Sequence, residues 1–433
     1  MNPRTKVQCI WIAFLTAVLT ASSFGQTTVA TDPVGFYKIT CSGSSDTIVS
    51  IPFTRAPEFV GTIASVSGSV VTISGSTGWT NNQFVYTSGT QSKHYYALLG
   101  PQLTTLSGSA STTQGSATIT GSGTTFTSTV AVGNGLLVGN AYFIVKSVDS
   151  NTQITATIAA RSTASGQTVS VSACPKEGSA YDVTANDAST LTLNLNGDTL
   201  SGVGANTQVT ILPYPSLSSV FPASDAGTSF VASSSAFIRK TEIYIPNYSG
   251  SGINLSTAKS YFFLNGAWRL AGNAVTEDHG DDILLPGAYF QIRNNDGTTT
   301  TLTFTGNVPT RKKLSLPVAT QTGTKQDNLL SLSRPVDTSL NQLGLVESGA
   351  FTPSTSTFLR ADELYVFDNT QVGFNKSASA TYFYYNGAWR KANQDVTVDA
   401  GSDVIPAGSG FVVRKATTNN GATQFWQNAP SYD

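Results

Sequence analysis

Carboxylates alternate around a glycine at two places in the sequence, where they could bind a metal ion. One Asp-x-Gly-x-Asp run joins Asp278 to Asp282, and a second joins Asp399 to Asp403. Carboxylate oxygens at this spacing can wrap a hard cation such as Ca²⁺. The alternative is an Asx-type turn, in which the side chains accept local backbone N–H bonds. Neither run is followed by the bidentate glutamate of an EF-hand loop, so the sequence favours turns and leaves Ca²⁺ as the one candidate cofactor.

Two tryptophans, each followed by an arginine, form a second candidate site. Trp268 with Arg269 and Trp389 with Arg390 each come shortly after an Asn-Gly pair. An exposed indole face beside a guanidinium group could bind a sugar through apolar contact and directed hydrogen bonds. Asn-Gly between two strand-like runs is, however, the strongest short signal for a β-hairpin. The pattern therefore favours turns with a packed tryptophan over a ligand-binding platform.

The histidines give no sign of a catalytic centre. The chain contains only His94 and His279, and neither lies in the His-Glu-x-x-His spacing of a zinc hydrolase. His94 lies in an aromatic, strand-like run and is interpreted as structural. A Ser-His-acid triad would meet only in space, and the abundant Ser and Thr residues do not single one out. We identify no catalytic residue in the sequence and expect a protein without enzymatic activity.

Both candidate sites lie in a sequence that occurs twice. Phe230–Pro309 aligns without a gap onto Phe351–Pro430 at a constant offset of 121 residues. A period of this length indicates a duplicated domain and not a solenoid of short repeats. We predict two C-terminal β repeats with the same fold, residues 216–310 and residues 311–433.

The pattern of the whole chain predicts strands. Short runs rich in β-branched and aromatic residues are separated by Gly, Ser, Asn and Asp clusters. Helical periodicity is limited to Leu340–Val346, where Asp337 or Ser339 could cap one turn. Asp46–Ile51 is echoed at Asp327–Leu332, a match too short to interpret alone. The predicted fold class is all-β, with several β-sandwich or β-barrel-like domains and an internal duplication in the C-terminal half.

The sequence before the repeats indicates one domain interrupted by another. A strand-like run at His94–Leu98 is matched by a second at Tyr181–Thr184, and the Gly, Ser and Thr-rich stretch between them has a β pattern of its own. Insertions are tolerated at exposed loop tips between adjacent strand ends. We predict an N-terminal β domain of residues 26–100 and 173–215, with a small β module of residues 101–172 inserted into it. A single continuous β domain is the alternative.

Residues 1–25 have the three parts of a secretory signal peptide. A basic start is followed by an apolar run at Cys9–Leu19 and by small residues at Ser23 and Gly25. The run is shorter than the roughly 20 residues that a bilayer-spanning helix needs. We therefore predict an exported protein of the cell surface or extracellular space, with the periplasm as an alternative and without a transmembrane helix in the mature chain.

Charge and cysteine content limit the partners and the covalent chemistry. Charged residues make up 11% of the chain and the formal net charge is −1, so no basic surface for nucleic acid is indicated. Cell-surface proteins or glycans are the expected partners, with self-association as a further option. Cys41 and Cys174 lie after the signal peptide, and an oxidising compartment permits a disulfide between them. Two free thiols are the alternative, because sequence cannot place the two Cα atoms.

Five short motifs carry a resemblance to a known group of proteins. The motifs are Ala30–Phe36, Ser50–Phe53, Tyr181–Asn186, Asn386–Lys391 and Pro406–Lys415. On these residues the mature chain resembles an uncharacterised family of exported bacterial all-β proteins, which implies a fold and export but no established activity. The resemblance does not include residues 101–172, whose sequence is similar to small β modules of phage tail and virion proteins.

We accordingly expect an exported structural or binding protein of the cell surface or extracellular matrix that acts through protein or glycan contacts. The alternative from another class is a secreted polysaccharide-active enzyme or its accessory carbohydrate-binding module. Glycan release by the purified protein would favour the alternative, whereas binding without turnover would favour the first.

Overall fold

Strands dominate the structure, and the predicted all-β fold class is confirmed. The computed structural model describes residues 33–429, so the predicted signal peptide and the last four residues lie outside the described residues. Within this range no helix has the length and apolar character needed to cross a bilayer.

The first part of the chain contributes two strands to one sheet and then begins a barrel. The five strands before the insert are β1 (Val34–Cys41), β2 (Ser45–Val49), β3 (Phe59–Ser67), β4 (Val70–Ile73) and β5 (Tyr95–Leu99). The stretch predicted as an inserted module follows as β6 (Leu103–Thr105), β7 (Ser109–Thr112), β8 (Thr118–Ser122), α1 (Phe126–Thr129), β9 (Gly135–Val138), β10 (Ala141–Ser150), β11 (Gln153–Ala156), β12 (Ala164–Gln167) and β13 (Val169–Ser172).

The barrel then resumes, and the two repeats follow it. The barrel strands are β14 (Ala180–Asn186), β15 (Thr190–Asn194) and β16 (Gln208–Pro213). Next come α2 (Leu217–Val220), a 3₁₀ turn (Ala223–Asp225), β17 (Thr241–Pro246), β18 (Thr257–Leu264), β19 (Ala267–Leu270), β20 (Phe290–Asn294) and β21 (Thr300–Asn307). The last elements are β22 (Leu314–Val318), β23 (Gln326–Ser331), β24 (Thr338–Ser339), a 3₁₀ turn (Leu340–Gln342), β25 (Glu363–Val366), β26 (Ala380–Tyr385), β27 (Ala388–Lys391), β28 (Val404–Ile405), β29 (Gly410–Lys415) and β30 (Gln424–Asn428).

Six strands close into a barrel in the order β14-β15-β4-β3-β16-β5. β5 and β14 are neighbours in it, with Ala97 opposite Tyr181, although the inserted module separates them in sequence. The module forms an eight-stranded sheet, β12-β7-β8-β11-β10-β9-β13-β6, around its own apolar core. Its ends meet where the Gln102 N–H donates to Ser172 Oγ at 3.0 Å. Barrel and module therefore each bury a separate core, and the chain passes between them at one pair of strand ends.

The two repeats have the same sheet order. The first sheet runs β19-β18-β17-β20-β2, and the second runs β27-β26-β25-β29-β23. Each has a two-stranded companion, β1 with β21 in the first and β22 with β30 in the second. We call β1 and β2 together with residues 214–309 repeat 1, and residues 313–429 repeat 2.

This topology corrects the predicted domain boundaries. β1 and β2 were assigned by sequence to the N-terminal β domain of residues 26–100, but they pair with β21 and β20 of repeat 1. The barrel is thus inserted into repeat 1, and the module is inserted into the barrel. Local sequence pattern could not show this, because the paired strands are separated by the whole barrel. The echo between Asp46–Ile51 and Asp327–Leu332 was the available signal, since these stretches include β2 and β23.

Local turns explain why each repeat folds in this way. Asn265 (φ 51°) and Gly266 (φ 78°) form the β18–β19 turn, and Asn386 (φ 49°) and Gly387 (φ 76°) form the β26–β27 turn. Positive φ at both positions is what a two-residue hairpin requires, and Asn-Gly meets it with little strain. At the suggested helical turn, Ser339 caps a 3₁₀ segment through a reciprocal bond with Gln342.

The repeats contact each other through equivalent residues. In repeat 1, Asp46 on β2 pairs with Arg293 on β20, with the Nε to Oδ1 and Nη2 to Oδ2 distances both 2.8 Å. The Asn375 N–H of repeat 2 donates to Asp46 Oδ2 at 2.6 Å. Arg293 also donates to the Asn375 side chain at 2.7 Å. The ion pair of repeat 1 is therefore completed by a loop of repeat 2.

The reverse contact is made by the matching residues. Asp327 pairs with Arg414 at 2.7 and 2.9 Å. The Asn254 N–H of repeat 1 donates to Asp327 Oδ2 at 2.7 Å, and Asn254 precedes Asn375 by the repeat offset of 121 residues. The two repeats thus exchange equivalent loops, as the subunits of an isologous dimer do. A small apolar cluster between them includes Ile48, Tyr289, Leu329 and Val412.

Candidate functional site

The structure holds two loops whose tips are apolar and open to solvent. Apolar loop 1 comprises residues 235–240, and apolar loop 2 comprises residues 356–361. Phe237 is 97% exposed and Ile238 is 60% exposed. In the second loop Phe358 is 95% exposed and Leu359 is 80% exposed. Single exposed apolar residues are common, but an adjacent pair recurring at equivalent places of a duplicated domain indicates an interaction surface.

A serine holds the tip of apolar loop 1 in a fixed turn. Ser235 Oγ accepts hydrogen bonds from the N–H groups of Phe237 at 3.3 Å and Ile238 at 3.0 Å. A Ser hydroxyl that bonds backbone groups two and three residues ahead closes a local turn without other support. The apolar side chains are thereby presented on an ordered backbone.

Apolar loop 2 is built in the same way. Ser356 Oγ accepts from Phe358 N–H at 3.2 Å and from Leu359 N–H at 2.9 Å. The exposed apolar pairs at the two tips differ only as aliphatic isomers, Ile238 against Leu359. Duplication has therefore preserved both the turn and the apolar character of its tip.

The base of apolar loop 1 is anchored on the sheet by an arginine. Arg239 lies over the Phe262 ring, with the guanidinium carbon 4.6 Å from the ring centroid, and forms an ion pair with Glu242 at 3.2 Å. Ser233, just before the loop, donates its N–H to Phe263 O at 2.8 Å. Cation–π contact and ion pair together fix the position at which the loop leaves the sheet.

Each of these contacts recurs at the base of apolar loop 2. Arg360 lies 4.7 Å from the Phe383 centroid and pairs with Glu363 at 3.2 Å. Ser354 donates its N–H to Tyr384 O at 2.8 Å. Both arginines thus bind side chains of this same protein, so the loop tips offer mainly apolar groups to a partner.

Both tryptophans of the candidate ligand platforms are buried, as the favoured hairpin interpretation predicted. Trp268 is 1% exposed, donates its indole N–H to Phe221 O at 3.0 Å and packs on Phe230. The neighbouring Arg269 is 9% exposed and donates to Glu277 O at 2.9 Å. No face of this indole is open to a sugar ring, which contradicts the ligand-binding interpretation.

The second tryptophan lies in the same environment. Trp389 is 2% exposed and packs against Phe351 and Tyr384, at centroid distances of 5.0 and 5.6 Å. Arg390 beside it is 8% exposed. The hairpin places each tryptophan in the core because side chains alternate between the faces of a strand.

The candidate metal ligands of the first acidic turn have partners within the protein. Asp278 Oδ1 accepts from Gly280 N–H at 2.9 Å, which is the geometry of an Asx turn. Asp282 accepts from the Tyr261 hydroxyl and lies 3.4 Å from Lys259 Nζ. Asp278 therefore closes the turn, and Asp282 fixes the turn to β18.

The second acidic turn repeats the arrangement. Asp399 Oδ1 accepts from Gly401 N–H at 2.8 Å. Asp403 accepts from the Tyr382 hydroxyl at 2.7 Å and lies 3.6 Å from Lys391 Nζ. Within residues 33–429, no group of three or more His, Cys, Asp and Glu side chains is arranged to hold a metal ion.

Cys41 and Cys174 are free thiols, as the alternative to a disulfide between them had it. Cys41 lies in the core of repeat 1 and Cys174 in the core of the barrel. Burial raises the pKa of the Cys41 thiol to about 11 and also raises that of Cys174. Protonated thiols that are buried in separate apolar cores are unreactive.

A cavity of about 300 Å³ lies where the barrel and both repeats meet. Tyr96 and Tyr214 line it from the barrel, and Tyr248 from repeat 1. The volume matches a small ligand pocket. Two of the hydroxyls that could orient a ligand are already bonded, that of Tyr214 to Asp182 and that of Tyr248 to Tyr289 O. The apolar loops are therefore the better candidate site.

Sequence reasoning did not single out the apolar loops, although both lie in the aligned copies. The signal was present as Phe237-Ile238 and Phe358-Leu359, which follow serine-rich runs at the same offset of 121 residues. An apolar pair before a strand looks like a core position until burial is known. A scan of protein-family models, a search of curated proteins and a search of solved structures gave no match.

Proposed function

We propose that this chain is an exported structural or binding protein of the cell surface or extracellular matrix that contacts a partner protein through the two apolar loops. The observation that carries the proposal is the exposure of Phe237 and Phe358, 97% and 95%, on loops that equivalent serine hydrogen bonds close. Export and surface location rest on the signal-like start and on the resemblance to exported bacterial all-β proteins.

A protein partner fits the loops better than a glycan does. Sugar recognition depends on directed hydrogen bonds as well as apolar contact, and Arg239 and Arg360 are committed to ion pairs at the loop bases. Aromatic side chains that become buried at the centre of a protein interface are typical hot spots of binding. The partner we infer is a cell-surface protein that offers an apolar groove.

Surface retention tests this function. Cells that produce the chain are fractionated, and the wild-type protein is compared with a variant in which Phe237, Ile238, Phe358 and Leu359 are all changed to Ser. Because these side chains are exposed, the variant should keep its melting temperature and move from the cell surface to the medium. The control changes Val60 and Val132 to Ser, which are 65% and 69% exposed in the barrel and the module. Equal surface retention of all three proteins would contradict the proposal.

A second assay separates binding from enzymatic action. The purified mature chain is incubated with cell-surface polysaccharide preparations, and soluble sugars are measured. We expect no release above the buffer control. Release that depends on the protein would favour the polysaccharide-active alternative.

A further inference from the structure

A lysine and an aspartate of repeat 2 are in direct contact without any access to water. The side chains of Lys415 and Asp362 are both 0% exposed, and Lys415 Nζ donates to Asp362 Oδ2. Lys415 ends β29, and Asp362 directly precedes β25, which pairs with β29. The contact therefore joins two adjacent strands inside the core of the sheet.

The backbone around the pair fixes both reacting groups. Asp362 Oδ1 accepts from Ala416 N–H at 2.8 Å, and Oδ2 accepts from Thr352 N–H at 2.6 Å. Lys415 Nζ also donates to Ala350 O at 2.8 Å. The nitrogen is thus held against the carboxyl group, and an N–H group points at the oxygen where negative charge would develop during attack on Cγ.

Burial favours the uncharged form of Lys415, which can act as a nucleophile. Two opposite charges removed from water carry a desolvation penalty that their attraction does not always repay. Burial lowers the pKa of the Lys415 ammonium group, against the attraction of Asp362. A desolvated lysine that loses its proton is a nucleophile.

We propose that Lys415 and Asp362 condense into an intramolecular amide cross-link. A proton passes from the ammonium group to Asp362 Oδ2, which gives an amine and a carboxylic acid. The Nζ lone pair attacks Cγ, so a C–N bond forms, and Oδ2 leaves as water after taking a second proton from nitrogen. The step balances as ammonium plus carboxylate giving amide plus water, and it needs no oxidant or cofactor.

Repeat 1 provides a natural comparison. The positions equivalent to Asp362 and Lys415 are Thr241 and Asn294, both 1% exposed. Asn294 donates to Thr298 O at 2.8 Å. Repeat 1 therefore has an uncharged pair at the position where repeat 2 has the lysine and the aspartate. The link would close a loop of 53 residues and tie β25 to β29 covalently.

Intact-mass measurement of the purified mature protein tests the cross-link. We expect a mass that is lower by one water than the mass calculated from the mature sequence. We also expect a proteolytic map in which the peptides carrying Asp362 and Lys415 are joined. Lys415→Arg and the repeat-1-like variant Asp362→Thr with Lys415→Asn should both show the full sequence mass. Lys313→Arg, a change at another buried lysine, should keep the water loss.

Two outcomes would overturn the cross-link. A wild-type protein with the full sequence mass would show that the pair is only ionic. Water loss that persists in Lys415→Arg would point to another dehydration, such as imide formation at Asp296-Gly297. The wild-type mass decides the question even if a variant fails to fold.

Discussion

Asn254 and Asn375 hold equivalent positions in the two repeats, and each one reaches across to the aspartate of the other repeat. Asn375 donates its N–H to Asp46 at 2.6 Å, and Asn254 donates its N–H to Asp327 at 2.7 Å. Both asparagines have positive φ, 53° and 50°, a conformation that Asn tolerates better than most residues. The internal duplication is therefore also an internal interface, and each half completes the ion pair of the other.

Loss of one aspartate at this interface should be costly. Asp46 is 1% exposed, and Asp46→Ala leaves Arg293 without its bidentate partner in a mostly buried setting. Breaking a buried pair from one side typically costs about 3–5 kcal/mol. We expect a fall of that size in the free energy of unfolding, measured by denaturant titration. The control Glu58→Ala removes an ion pair with Lys93 that is 38% and 48% exposed, and should cost at most about 1 kcal/mol. Equal effects would refute the importance of the interface.

The cysteines should behave as buried free thiols. Without reductant, a thiol reagent should find two reactive groups in the unfolded mature chain and none in the folded chain. A disulfide-bonded chain would show none in either state.

The Cys41 thiol should also make stability depend on pH. Its pKa is about 11 in the folded chain, against about 8.5 when unfolded, because the buried thiolate is desolvated. Its contribution is fully present below pH ~8.5 and should be lost as pH rises toward about 11, since the unfolded state releases the proton first. Comparing the pH dependence of unfolding with that of Cys41→Ala checks this sign. An identical slope in both proteins would count against it.

Calcium should leave the melting temperature unchanged. Asp278 is bonded to Gly280, and Asp282 to Tyr261, so the acidic turn has protein partners for its oxygens. Thermal melts with millimolar Ca²⁺ and with chelator should coincide. A site specific to the folded state would instead add about 2.7 kcal/mol at 100 times its dissociation constant. Such a rise, abolished by Asp278→Ala, would favour the metal-binding alternative.

Removal of the inserted module should leave a folded host. Residues 101–172 have their own core, and their ends meet at the bond between Gln102 and Ser172. Glu177 and Lys313 are buried beside the module in the intact chain. Replacing the module with a short Gly-Ser linker exposes both side chains to water, which readily solvates their charges. We expect one cooperative thermal transition for the remaining chain, with Cys174 kept in place. Loss of that transition would show that module and barrel fold as one unit.

Local signals predicted a large part of the fold. Asn265-Gly266 and Asn386-Gly387 predicted hairpins because only a few residue pairs accept positive φ twice in succession. The constant offset of the duplication predicted that the repeats share a fold, since it preserves turns and apolar positions. The turn that begins at Leu340 was predicted with Asp337 or Ser339 as its cap, and the structure has Ser339 in that role.

Long-range pairing and exposure could not be predicted in the same way. β1 and β2 pair with strands of repeat 1 that follow the whole barrel in the sequence. The local alternation of residues in Val34–Cys41 does not identify this distant partner strand. The apolar loops were missed because Phe237 and Phe358 are of a residue type that is usually buried in the core. The tryptophans were the opposite case, since the Asn-Gly turns favoured a packed Trp268 over a ligand platform, and Trp268 is buried.

Affinity for intact cells tests the apolar loops most directly. The labelled mature chain is titrated onto the cells that produce it, beside a loop 1 variant (Phe237→Ser with Ile238→Ser), a loop 2 variant (Phe358→Ser with Leu359→Ser) and the combined variant. Loss of an interface hot spot costs about 2 kcal/mol or more, so each single-loop variant should bind about thirtyfold more weakly. The combined variant should not bind measurably, and Val60→Ser with Val132→Ser should bind as the wild type does. Equal affinity of the combined variant and the wild type would contradict a binding role for the loops.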